Sequence, residues 1–218
     1  DETAVDLLES LDVSAYKIAS PEITHIPLLK RVATTGKPVI VSTGVADLID
    51  IKLALDTLRD AGAKDIILLK CTSSYPAPPE ESNLITMTDM ESRFEVLSGL
   101  SDHTMGTATA LASVVLGGCF IEKHLTLDDE KETVDSFFSS GELEFSSMVQ
   151  DIRLVEKSLG KQSYEITKSA LPSLRGRRSL YVSAPIKAGE LFTELNIKSV
   201  RPSFGLHPKY LKKIIGKK

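Results

Sequence analysis

Five short apolar runs alternate with longer helical patterns over the first 160 residues, and this rhythm restricts the chain more than any other feature. The runs lie at 15–19, 38–43, 65–71, 94–100 and 118–124, each rich in Ile, Val or Leu. Near-continuous apolar character is what a strand buried on both faces requires. Helical patterns fill the gaps at 23–35, 47–61, 86–93, 107–116 and 142–159. Pro21 precedes the first pattern and Gly36 follows it, Asp47 offers an N-cap to the second, and Gly62, Gly117 and Gly160 stand at later ends. A strand and helix repeated five times predicts parallel βαβ units and an α/β fold.

The rhythm stops after residue 160. Residues 161–174 read as a linker. Residues 175–218 read as a small β-rich appendage that opens with a strand at 178–182 and closes with a short basic helix. The net charge is −4, which argues against nucleic acid as a partner. The cluster Lys209, Lys212, Lys213, Lys217 and Lys218 reads as a solvated helix face. No run of 18 apolar residues occurs, so no membrane partner is expected. The acidic, amphipathic start (DETAVDLLESLD) differs from a signal peptide, and the expected compartment is the cytoplasm. Cys71 and Cys119 both sit in apolar runs and are expected to be buried free thiols.

Polar residues gather at the C-terminal end of every predicted strand. They are Lys17, Ser20 and Glu22; Ser42, Thr43 and Gly44; Thr72, Ser73, Ser74 and Tyr75; Ser101, Asp102, His103 and Thr104; and Glu122, Lys123 and His124. In a parallel barrel or open sheet these ends open on one face, where active sites lie. His103 and His124 are 21 residues apart, one βα unit, which places them on adjacent strand tips. A lone histidine there is usually an ordinary polar residue. Two on neighbouring tips, flanked by Asp102 and Glu122, favour a shared divalent metal. His25 and His207 read as structural or surface residues. Lys17 with Ser20, Ser42, Thr43, Ser73, Ser74 and Ser101 suits a phosphate or carboxylate. Any single hydroxyl among them is explained as simply by capping. Lys17 is the stronger case, because a lysine inside an apolar strand must be solvated or paired.

The segments KIASPE (17–22), VIVSTG (39–44), KCTSSYPAP (70–78), GLSDHTMG (99–106) and IEKHLTL (121–127) occur in the order seen in the sialic acid synthase family, which this chain resembles. RRSLYV (177–182), IKAGE (186–190) and RPSFGLHPKY (201–210) resemble that family's C-terminal antifreeze-like (SAF) domain. The resemblance implies a (β/α)8 TIM barrel fused to the small domain. It implies condensation of phosphoenolpyruvate with an N-acetylated amino sugar to a nine-carbon 2-keto acid, with phosphate released. On the same footing, His103 and His124 match ligands of Mn2+ or Mg2+. Lys17, Ser20, Ser73 and Ser101 match phosphoenolpyruvate-binding positions, although some members carry Asn in place of Ser73. Glu22, Tyr75, Glu122 and Asp135 match positions lining the sugar and metal region. Arg178, with Arg177 beside it, matches an arginine that reaches the partner's barrel in a domain-swapped homodimer.

TVDSFFS (133–139) and GLHPKY (205–210) look more like the pseudaminic acid branch, which uses a 6-deoxy diacetamido sugar, than like the neuraminate or legionaminic branches. A Gly-rich lead-in before VDS is replaced here by DDEKET (128–133). Five strands against an expected eight imply a chain that lacks strands one to three, and such a fragment is expected to be inactive and poorly soluble because of its unpaired edges. Two rival readings remain open: a metal-dependent aldolase acting on a pyruvate-like donor, and a non-catalytic sugar-binding protein.

Overall fold

The computed structural model describes residues 1–127 and 133–218, so most of the DDEKET segment lies outside the described residues. The chain divides into two compact units, 1–160 and 161–218.

The first unit opens with helix α1 (Glu2–Ser10), whose Asp1 side chain accepts from the Ala4 N–H. There follow β1 (Tyr16–Ile18), α2 (Ile26–Ala33), β2 (Val39–Ser42), α3 (Leu48–Asp60), β3 (Ile66–Cys71), α4 (Thr86–Phe94), β4 (Leu97–Asp102), α5 (Ala108–Val115), β5 (Ile121–Lys123) and α6 (Glu142–Leu159). The five strands form one sheet in sequence order, each pair parallel, curled as half of a barrel. Lys17 stands opposite Ile40, Ile40 opposite Ile67 and Ile67 opposite Leu97. Successive side chains on a strand point to opposite faces. Tyr16, Ile18, Val39, Val41, Ile66 and Leu68 pack outward against Leu28, Leu29 and Val32 of α2 and Ala54, Leu55 and Leu58 of α3. The intervening residues, Lys17, Ile40, Ser42, Ile67, Leu69 and Cys71, therefore face the concave side.

Local chemistry sets the helix boundaries. Asp47 caps α3 by accepting from the Ile49 and Asp50 N–H groups at 2.8 and 2.9 Å, and the Asp50 carboxylate accepts from the Asp47 N–H in return. The helical pattern expected at 23–35 forms a short 3-10 turn at Ser20–Glu22 and then α2, which starts only at Ile26. Pro27 explains the delay. In the first turn its missing N–H costs nothing, whereas a helix begun at Ile23 would drive its ring into the Ile23 carbonyl. The fourth strand also departs from expectation, running Leu97–Asp102 and not 94–100. Phe94 ends α4 with its side chain against the core, and Glu95 closes that helix in a left-handed conformation (φ 53°). The last strand is confined to Ile121–Lys123, and Cys119 ahead of it is exposed, not buried as its apolar neighbours implied.

In the second unit, a 3-10 segment (Lys168–Gly176) leads to β6 (Ser179–Val182), which pairs antiparallel with β7 (Ile197–Val200). The strand β7 lies where the sequence offered only turn residues ahead of it. Leu180 and Ile197 are the buried apolar residues of this unit. A short helix α7 (Leu211–Ile214) follows. Among the described residues, no helix is long and apolar enough to cross a membrane.

One close approach holds β4 against the chain entering β5. A Cβ placed on Gly99 would overlap the Phe120 carbonyl oxygen and lie 2.7 Å from Leu69 Cδ2. A backbone oxygen cannot swing aside as a flexible side chain can. Gly99→Ala is expected to lower stability by about 1–3 kcal/mol, read as a fall in the urea midpoint at unchanged slope. An unchanged midpoint would contradict that packing.

Candidate active site

The register between β4 and β5 sets Ser101 opposite Glu122 and Asp102 opposite Lys123. The next residues on each strand, His103 and His124, therefore emerge side by side. Their ring centroids are 5.3 Å apart at an interplanar angle of 63°. His103 Nδ1 lies 2.9 Å from the Thr72 carbonyl oxygen. A carbonyl only accepts, so Nδ1 carries the proton and Nε2 keeps a free lone pair when the ring is neutral. Burial pulls the His103 imidazole down, and hydrogen bonds to Cys71 and the Thr72 carbonyl outweigh this and raise it. Burial and then the neighbouring His103 charge hold His124 below the usual imidazole range, so at neutral pH His124 is uncharged. Tyr75 stacks on His103 at 4.3 Å, and Phe138 packs on His124 at 4.8 Å and on Tyr75 at 5.4 Å. The imidazole pair is thus walled on one side by aromatic rings.

With both rings deprotonated, the two imidazoles on one rim form a donor set that a divalent ion accepts. Nitrogen ligands suit Mn2+ better than Mg2+, which prefers oxygen. Among the described residues, no group of three or more His, Cys, Asp or Glu could hold a metal. An ion here would take two protein ligands from this chain's described residues and fill its shell with water or substrate oxygens.

A second cluster lies on the concave face beside the first. Lys17 Nζ sits 3.1 Å from Glu122 Oε1, and Ser101 Oγ donates to the same oxygen at 2.6 Å. The Lys17 and Glu122 side chains remain 30% and 37% exposed, so ligand and solvent reach the pair. Ser20 Oγ accepts from the Gly44 N–H at 2.9 Å. A Cβ on Gly44 would overlap Ser73 Oγ and come within 2.8 Å of Cys71 Sγ and 3.0 Å of Ser20 Oγ. Only glycine lets these three side chains converge. Beside them, Ser42 is 2% exposed, and its Oγ is the one buried side-chain polar atom without a hydrogen-bond partner among the described residues. An orphaned hydroxyl of this kind costs about 1–3 kcal/mol.

Lys17, Ser101 and Glu122 thus meet directly, Ser20 and Ser73 meet around Gly44, and Tyr75 meets both histidines. Three expected residues stand apart from these contacts. Glu22 faces His25 Nδ1 at 3.4 Å. Asp135 is exposed, its carbonyl accepting from Ser139 Oγ, and its charge is felt by Tyr75 and His124. Arg178 belongs to the second unit, where its Nη1 donates to the Ser199 carbonyl at 2.6 Å. Sequence reasoning counted Ser42 among many hydroxyls without singling it out. The available signal was its alternation with Val39 and Val41, which turns it inward. Cys71 was likewise read only as a core thiol.

Comparison with known proteins adds a separate line of observation. The NeuB family model matches residues 1–164, and the SAF domain model matches residues 177–218. A pseudaminic acid synthase of Campylobacter jejuni is 42% identical over 214 residues, covering 98% of this chain and 62% of that protein. An N,N'-diacetyllegionaminic acid synthase of the same species is 40% identical over 220 residues, covering 100% of this chain and 66% of that protein. The crystal structure of spore coat polysaccharide biosynthesis protein SpsE from Bacillus subtilis superposes with a TM-score of 0.70 at 37% identity, covering 99% of this chain and 65% of that one. The chain spans less than two thirds of the length of these relatives.

The two thiols should titrate differently. Burial pushes Cys71 up, and hydrogen bonds from His103, Ser20 and Ser101 outweigh it and bring the thiol down to about 7. Burial pushes Cys119 above its ordinary value. Thiolate absorbance at about 240 nm in a Cys119→Ser variant is expected to appear with a midpoint near pH 7, from Cys71, and in a Cys71→Ser variant only at higher pH, from Cys119. A Cys71 midpoint at or above its ordinary value would contradict this.

Proposed function

Because this chain belongs to the NeuB family, with a SAF domain after it, we propose that the whole protein condenses phosphoenolpyruvate with an N-acetylated amino sugar and releases phosphate. The product is a nine-carbon, sialic-acid-like 2-keto acid. The carrying observation is the juxtaposition of two clusters on neighbouring strand tips: an imidazole pair, and a lysine that shares Glu122 with the Ser101 hydroxyl. The curled sheet is read as part of a (β/α)8 barrel whose strand ends open on this mouth. The proposed compartment is the cytoplasm.

In this reading, the Lys17 ammonium and the hydroxyls of Ser20, Ser73 and Ser101 hold the phosphate and carboxylate of phosphoenolpyruvate. Holding the donor with its C3 toward the sugar aldehyde lowers the entropic cost of their meeting. C3 bonds to the aldehyde carbon, water adds at C2, and phosphate leaves the resulting tetrahedral carbon. His103 and His124 would hold a Mn2+ or Mg2+ ion, which supplies Lewis acidity to the sugar's carbonyl oxygen when bound. Glu122 Oε1 already accepts from Lys17 and Ser101, which leaves Oε2 to accept a proton from a sugar hydroxyl or the attacking water. Tyr75 offers the sugar an exposed aromatic face. Glu22 and Asp135 belong to the sugar side. Arg178 acts from the partner's small domain in a homodimer. The pseudaminic branch is the preferred assignment, supported by TVDSFFS at 133–139 and the pseudaminic acid synthase relative. The legionaminic sugar is the alternative, supported by the second relative.

Two substitutions in the whole protein test this. His103→Ala is expected to lower phosphate release from phosphoenolpyruvate and sugar by about a thousandfold or more, with added Mn2+ giving no rescue. Retained activity in metal-free buffer would contradict the role of the histidines. Lys17→Ala is expected to raise KM for phosphoenolpyruvate about tenfold or more. An unchanged KM would contradict the assignment of Lys17.

A further inference from the structure

Each of the two histidines follows one member of a buried ion pair. Asp102 Oδ2 lies 2.9 Å from Lys123 Nζ, and the two side chains are only 1% and 2% exposed. The pair sits on the helix-facing side of the sheet, behind the Ser101–Glu122 hydrogen bond on the concave side. The tips of β4 and β5 are therefore tied across both faces, one residue before each imidazole.

The remaining bonds of the pair converge on Thr104. Asp102 Oδ1 accepts from the Thr104 N–H at 3.0 Å and from Thr104 Oγ1 at 2.8 Å. Lys123 Nζ also donates to the Thr104 carbonyl at 2.6 Å. His103 is thus bracketed by two anchored residues, and the anchor on its far side comes from the strand that carries His124. Its own carbonyl accepts from the Ala77 N–H at 2.8 Å, and its ring is held by Thr72. Taking two charges out of water is costly, and well-packed apolar residues in their place often stabilise a fold equally well or better. The pair is therefore poorly explained by stability alone, whereas a fixed separation between strand tips needs directional bonds.

We propose that Asp102, Lys123 and Thr104 form a positioning clamp that fixes the spacing of His103 and His124, and through it the affinity of the site for a divalent ion. This rests on the metal reading above. Residues that orient metal ligands typically contribute 10–100-fold in affinity.

The test is a titration of the whole protein with Mn2+, following free ion by electron paramagnetic resonance, alongside thermal unfolding. The double variant Asp102→Leu/Lys123→Met replaces the clamp with an apolar pair. It is expected to keep its thermal midpoint within about 5 °C and to bind Mn2+ about 10–100-fold more weakly. A folded double variant with wild-type affinity overturns the clamp. Should that variant fail to fold, Thr104→Val decides, since it removes only the hydroxyl: about tenfold weaker binding supports the clamp, and unchanged binding overturns it. Absence of Mn2+ binding by the wild-type protein would overturn the metal reading itself, and the clamp with it.

Discussion

In a parallel pair of strands the backbone ladder decides which side chains stand opposite each other, and between β4 and β5 it matches Ser101 with Glu122 and Asp102 with Lys123. The imidazole pair, the Lys17–Glu122 contact and the buried Asp102–Lys123 pair all follow from that match. A slip of one residue would turn Glu122 toward the helices and Lys123 toward the mouth. Glu122 would lose Lys17, Asp102 would lose its buried partner, and the two imidazoles would emerge on opposite faces. The outward packing of Tyr16, Ile18, Val39 and Val41 against α2 and α3 resists such a slip elsewhere in the sheet, because those residues have only one face on which to be buried.

The concave face is not optimised for stability. Ser42 is buried with an unsatisfied hydroxyl, Lys17 sits mid-strand with its charge leaning on Glu122, and Gly44 gives up a side chain to let Ser20, Cys71 and Ser73 converge. A partly exposed lysine, and hydroxyls that converge where a glycine leaves room, are what a pocket for a small anion requires. On β1 to β3 the outward face is filled by Tyr16, Ile18, Val39, Val41, Ile66 and Leu68, packed against α2 and α3. That contrast separates a site from a core more clearly than any one residue does.

Much of this was readable from sequence because it follows from periodicity. The five apolar runs and the spacing of His103 and His124 predicted adjacent tips, and helix 142–159 ends where Gly160 stands. The failures lie where periodicity is silent. Phe94 looks like a strand residue, yet it serves as the last apolar contact of α4 before Glu95 turns left-handed. Pro27 cut the second helix short, a matter of one missing N–H and one ring. Cys119 sits in an apolar run but ahead of the strand proper, where it stays exposed. The clamp at Asp102, Lys123 and Thr104 was invisible because hydrogen-bond direction is a three-dimensional property. In sequence these were simply polar neighbours of two histidines.

In the proposed function, His103 and His124 grip one divalent ion beside a phosphoenolpyruvate pocket built on Lys17. A crystal structure of the whole protein grown with Mn2+ and phosphoenolpyruvate, with anomalous data at the manganese edge, addresses it directly. The expected result is one anomalous peak in bonding contact with Nε2 of His103 and a ring nitrogen of His124, and the donor's phosphate or carboxylate accepting from Lys17 Nζ. A peak held by other residues, or rings turned away from a common centre, would contradict it.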